Sequence, residues 1–135
     1  MIAYLHELGF ETKDFGAMNA ARTHYPIYGQ KVARAVASGE CEKGIVICGT
    51  GIGIGMAANK TNGIRCAICS EPYSAMMSRA HNNANMLAFG ARVVGGEVAK
   101  LIVKTFLETE YEGGRHQQRV DMLRDIEQGI DISET

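Results

Sequence analysis

The segment that most constrains this chain is the run Ile45-Val46-Ile47-Cys48, followed by Gly49-Thr50-Gly51-Ile52-Gly53-Ile54-Gly55. Four consecutive apolar residues bounded by turn residues suit a strand buried on both faces of a parallel sheet. The four alternating glycines then turn the backbone into a helix beginning near Met56-Ala57-Ala58-Asn59-Lys60. Such a turn brings backbone N–H groups close to a ligand, at a helix N-terminus that favours negative charge. The chain has 16 Gly clustered at a few positions, so they mark tight turns and not low complexity.

Other apolar runs alternate with amphipathic stretches at a spacing that suits βα units. Phe10 to Phe15, Ile64 to Cys69 and Met86 to Phe89 read as strands. Met1 to Leu8 reads as a helix stopped by Gly9. Pro26 to Ser38 starts with Pro at a first-turn position, carries Tyr28, Val32, Ala35 and Val36 on one face, and stops at Gly39. A further helix begins near Pro72 and closes at His81. Val98, Leu101, Ile102, Thr105 and Phe106 form another helical stripe, and a last helix follows Gly113-Gly114. The expected fold is α/β, a three-layer sandwich with helices on both faces of a parallel, Rossmann-like sheet. The 135 residues fit one domain, residues 1–128, with 129–135 as a frayed C-terminal tail.

Composition narrows the function. Lys+Arg 14 against Asp+Glu 15 leaves no electrostatic footprint for nucleic acid, and no apolar run approaches the ~18 residues that would span a bilayer. Four cysteines (Cys41, Cys48, Cys66 and Cys69) in a chain without a leader pattern fit a reducing cytoplasm better than a disulfide framework. A small-molecule protein is the class that remains.

In an open parallel sheet, ligands bind beyond the carboxyl ends of the strands. Cys48 stands there, where a helix N-terminus lowers a thiol pKa, so it suits a base or nucleophile. The alternative is a small buried core residue. Gly53-Ile54-Gly55-Met56-Ala57-Ala58 also fits a dinucleotide fingerprint with Glu71 downstream, a weak match because its glycines sit late in the turn. Arg115 and Arg119, spaced i, i+4, continue into Met122 and Ile126 and are read as extending a buried face; near a helix N-terminus they suit a bound phosphate, or ion pairs with carboxylates. His81 closes a helix just before the strand Met86 to Phe89, where it reads as a functional residue or as a dipole-stabilising C-cap. Arg92 follows a strand on the ligand side, and Tyr25 and His24 precede a helix. His6 and His116 receive no role, and His116 is expected to point away from the arginines. Cys66 and Cys69 face opposite sides of a strand, and no His/Cys/carboxylate cluster has metal-ligand spacing.

Ile47 to Ile54 with Ala57-Ala58-Asn59-Lys60, then Ser78-Arg79-Ala80-His81-Asn82, then Glu112-Gly113-Gly114-Arg115-His116 together resemble the type B ribose-5-phosphate isomerases. That family also includes allose-6-phosphate and galactose-6-phosphate isomerases, and the resemblance runs from residue 1 to about Glu127. It implies metal-free, cofactor-independent aldose–ketose interconversion of a phosphorylated sugar through an enediolate. By motif, Cys48 is the base between C1 and C2, His81 is the acid assisting ring opening, and Thr50 is counted with them as catalytic. Gly49, Thr50, Gly51, Ile52 and Gly53 would hold the enediolate oxygen. Asn82, Arg92, Arg115 and Arg119 would bind substrate, chiefly its phosphate, and Tyr25 matches a sugar-site tyrosine. The stretch Arg22 to Gly29 also resembles one galactose-6-phosphate isomerase subunit.

Cys48 ends its strand, whereas His81 precedes a parallel one, a separation of about 17 Å for a five-residue strand. The expected assembly is therefore a homodimer, or a dimer of dimers, with sites shared between chains. Family members usually open with a strand ending in a Gly-x-Asp-His motif, which has no counterpart here. The first strand is therefore read as missing, and a non-catalytic subunit is an alternative of a different class.

Overall fold

The computed structural model describes residues 1–17 and 23–134. Arg22 and Thr135 lie outside the described residues. The elements, in order, are α1 (Ile2–Glu7), α2 (Tyr25–Ala37), β1 (Gly44–Cys48), α3 (Ile52–Asn59), β2 (Cys66–Ile68), α4 (Pro72–Ala80), β3 (Met86–Gly90), α5 (Gly96–Glu108) and α6 (Arg115–Glu127). The three strands form a parallel sheet in the order β1-β3-β2. Gly44 pairs with Met86 and Cys48 with Gly90, so β1 and β3 end together.

The strand pleat divides the core. Val46, Cys66, Met86 and Ala88 pack with Ala33, Val36, Ile54 and Ala58 of α2 and α3 on one face. Leu87 and Phe89 pack with Ala75 of α4 and with Ala99, Ile102, Val103 and Phe106 of α5 on the other. Period-two alternation thus serves two helical layers at once, and central β3 is buried along its whole length. The expected α/β sandwich with helices on both faces is the observed architecture. Cys66 and Cys69 fall in opposite cores, as their spacing requires.

Several expectations need correction. Phe10 to Phe15 form no strand: the segment lies at the surface, and its polar residues Glu11, Thr12, Lys13 and Asp14 face solvent with no strand beside them. A strand gains its stability from a neighbour's hydrogen bonds, which this stretch lacks. β1 is not buried on both faces, because it is an edge of the described sheet and Ile47 is 39% exposed. β2 is shorter than expected. The buried stripe of α5 runs through Ala99, Ile102, Val103 and Phe106, leaving Val98 and Leu101 exposed.

Candidate active site

Two groups of side chains stand at opposite ends of the strands. The first surrounds the turn after β1. Gly51 is left-handed, with φ +82, and a Cβ there would lie 2.6 Å from the carbonyl carbon of Phe89. A Cβ on Gly90 would meet the Thr50 backbone at 2.5 Å. Only glycine at both positions lets the turn lie flat across the end of β3. Two further bonds hold it there: the N–H of Ala91 donates to the Cys48 carbonyl at 2.9 Å and that of Arg92 to the Gly49 carbonyl at 3.0 Å.

The Cys48 sulfur accepts the Gly51 N–H at 3.2 Å, and the Thr50 hydroxyl oxygen accepts the Ile52 N–H at 3.2 Å. Burial pushes the Cys48 thiol up, but the backbone N–H groups of Ile54, Thr50 and Gly51 and the Thr50 side chain together bring it below its ordinary value. The other core thiols behave oppositely. Cys66 is pushed up to about 12 by burial and its neighbour Cys69, and Cys69 to about 11 by burial and the Glu71 charge. Of these three thiols, the one at the turn therefore has the greatest thiolate character.

Tyr25 lies over the same turn, since a Cβ on Gly53 would fall 2.5 Å from its ring. Arg92 approaches Gly49 from the other side, its side chain 3.6 Å from where a Gly49 Cβ would stand. Cys48, Gly49, Thr50, Gly51, Ile52, Gly53, Tyr25 and Arg92 thus form one group. Cys48 and Tyr25 open onto a cleft of about 1320 Å³ that runs along the outer edge of β1, past Ile45 and Tyr28.

The second group lies at the start of β3. His81 caps the C-terminus of α4, its N–H donating to the Met77 carbonyl at 2.9 Å. The turn from His81 to Asn85 is held by two arginines, Arg65 and Arg79, to which the sequence pattern assigns no role. Buried Arg79 donates to Asn83 Oδ1 at 2.9 Å and to the Ala84 carbonyl at 2.6 Å. Arg65 donates to the carbonyls of Asn82 at 3.1 Å and Asn83 at 2.9 Å. The spacing of Arg79 four residues before Asn83 was the available signal. Asn82 lines a second cavity, of about 900 Å³, beneath α6.

Arg115 and Arg119 do not extend a buried face. Both are exposed, as is Ile126, and α6 buries only Val120. Their guanidinium groups are available to an anion. His116, which received no role from the sequence, stacks its ring on that of His81, with centroids 4.1 Å apart. Glu112 lies 3.5 Å from both imidazoles. His81, Glu112 and His116 bring three potential metal ligands together, contrary to the expectation that no such cluster exists. Glu112 and His116, four apart, carried a partial signal; the contact with His81 required the fold.

Gly55 packs against Ile68 and Ala88, where a Cβ would approach to 2.4 Å, so its role is close helix–sheet packing. Glu71 accepts the Ser74 N–H at 3.0 Å as the N-cap of α4. Two residues of the dinucleotide fingerprint, Gly55 and Glu71, are thereby given structural work. Cys48 and His81 stand at opposite ends of the sheet: Gly44, at the start of β1, donates to the Asn85 carbonyl at 3.1 Å, while Cys48 lies beside Gly90.

The family profile described as Ribose/Galactose Isomerase matches residues 1–123. Ribose-5-phosphate isomerase B of Escherichia coli (strain K12) is 58% identical over 128 residues, 95% of this chain and 86% of that protein. Among solved structures, Clostridium thermocellum ribose-5-phosphate isomerase B superposes with a TM-score of 0.93 at 52% identity, covering 95% of this chain and 86% of that one. The Trypanosoma brucei type B ribose 5-phosphate isomerase gives 0.90 at 44% identity, covering 93% and 86%. With a matching profile over most of its length and the same fold as these enzymes, the chain belongs to the ribose/galactose isomerase family.

Proposed function

We propose that this chain interconverts ribose 5-phosphate and ribulose 5-phosphate by proton transfer through an enediolate. The observation that carries the reading is the Cys48 sulfur at a strand end, hydrogen-bonded by the Gly51 amide inside a glycine turn. A thiolate there removes the C2 proton of the open-chain aldose, and the electrons of that bond move to make the C1–C2 double bond of the enediolate. Transfer of the hydroxyl proton from O2 to O1, together with return of the abstracted proton to C1, completes the ketose. Negative charge develops on oxygen, next to the N–H groups of the turn and the N-terminus of α3. One such preorganised donor is worth about 3 to 4 kcal/mol.

The remaining roles are assigned on chemistry. His81 donates a proton to the ring oxygen as the sugar opens, and Thr50 stands beside the base. Tyr25 and Asn82 contact the sugar, while Arg92, Arg115 and Arg119 bind the phosphate by charge-assisted hydrogen bonds. None of these steps uses a metal or organic cofactor.

The separation of the two groups supports a homodimer, or a dimer of dimers, in which the Cys48 turn of one chain faces the His81 group of another. Exposed apolar side chains supply a surface for it: Ile52 and Met56 on α3 are 49% and 59% exposed, and Tyr73 on α4 is 66% exposed. Four free thiols fit a reducing cytoplasm. Among the described residues, no helix is long and apolar enough to cross a membrane.

The test is an isomerase assay with purified chain on ribose 5-phosphate, allose 6-phosphate and galactose 6-phosphate, without added metal or nucleotide. Preferred turnover of the pentose phosphate is expected. Preference for a six-carbon substrate would move the assignment within the family, and binding without turnover would favour a non-catalytic subunit.

A further inference from the structure

His81 and His116 come from different elements, yet their rings lie face to face, 4.1 Å apart and within 14° of parallel. Glu112 stands at the edge of both, its Oε2 3.5 Å from each Nε2. Glu112 is itself anchored, because its backbone N–H donates to the carbonyl of Ala80, the last residue of α4, at 3.0 Å. The loop before α6 is thereby tied to the end of α4. A histidine at a helix end normally rotates about two side-chain bonds; a stacked face and a carboxylate at its edge remove that freedom.

Three ligand atoms within 4.8 Å also invite a metal reading. The rings argue otherwise. A tetrahedral ion needs both in-plane lone pairs to converge on one point about 2.0 to 2.1 Å away. Nearly parallel stacked rings send their lone pairs side by side.

We propose that His116 is a positioning residue for His81, fixing the orientation of that imidazole through the stack while Glu112 fixes its edge. The proposal rests on His81 acting as the acid in ring opening. The charges facing His116 are His81 at the end of α4, Glu112 on the loop, and Arg115 and Arg119 on α6. Burial lowers the proton affinity of His116, His81 and the two arginines lower it further, and Glu112 opposes only part of this. The lowered proton affinity favours the neutral His116 ring as the stacking surface for His81.

The test compares His116→Ala, His116→Phe and His81→Ala in two assays. Ribose 5-phosphate must open its ring before enolisation, whereas ribulose 5-phosphate cannot close one through its phosphorylated O5. Exchange of its C1 proton in D2O therefore reports enolisation alone. His116→Ala should lower kcat on ribose 5-phosphate about tenfold, with KM and C1 exchange within about twofold of the parent. His116→Phe, which keeps a flat ring, should recover most of that loss, and His81→Ala should show the same split more strongly. If His81→Ala loses turnover and His116→Ala does not, the proposal is overturned. It is also overturned if His116→Ala loses C1 exchange to the same extent, since a general structural role does that. Full ribose 5-phosphate turnover in His81→Ala would instead remove the acid reading. Proton NMR of the His81 ring supplies a readout independent of turnover. Its signals should carry a ring-current shift in the parent that His116→Ala abolishes, and unchanged signals would overturn the proposal.

Discussion

The amide of Gly51 donates to the sulfur of Cys48 at 3.2 Å, so the conformation of one glycine contributes to the chemistry of one thiol. A hydrogen bond to the anionic form lowers a pKa, and here it works with the neighbouring N–H groups against burial. Cys66 and Cys69, held near 12 and 11, lack any such opposing contribution.

Alkylation with iodoacetamide near pH 7.5, followed by mass mapping, should therefore modify Cys48 well ahead of Cys66 and Cys69. Because the thiolate is the reactive form, the Cys48 rate should fall as pH drops through its pKa. The midpoint should lie below the ~8.5 of a free thiol. Equal modification of all three, or a midpoint above the free value, would show that the turn does not activate the sulfur.

Gly51→Ala tests the turn itself. A side chain at φ +82, with its Cβ 2.6 Å from the Phe89 backbone, must either strain the backbone or lift the turn off β3. A loss of about 2 kcal/mol in urea unfolding is expected, together with loss of turnover. A stable variant with parental turnover would contradict this account of the turn.

Arg79→Leu tests the support of the second group. It removes charged donors from the Asn83 side chain and the Ala84 carbonyl in a buried setting. Each such bond is worth about 1.5 to 3 kcal/mol, so the variant should unfold at markedly lower urea. Hydrogen exchange should then rise first in residues 81–85. Unchanged exchange there would mean that Arg65 alone holds the turn.

Much of the fold was legible because hydrophobic period and glycine position are local signals. Val46, Met86 and Ala88 reach one core and Leu87 and Phe89 the other, as the alternation of a doubly covered strand requires. Phe10 to Phe15 has the pattern of a strand but forms none, because strand formation depends on a pairing partner, which no local pattern reveals. Arg115 and Arg119 were correctly placed on one helix, but the depth of that face depends on what packs against α6, and here only Val120 is buried. The Cys48 turn was readable residue by residue. The His81–His116 stack was not, since it forms only where the end of α4 meets the start of α6.

The central claim is that the Cys48 turn of one chain and the His81 group of another complete one site. Cys48→Ala and His81→Ala chains, each inactive alone, should be mixed, exchanged and assayed on ribose 5-phosphate. In a two-fold dimer, random mixing makes about half the dimers mixed, each with one intact shared site, so about a quarter of parental activity should return. No recovery in dimers verified as mixed would contradict the shared site.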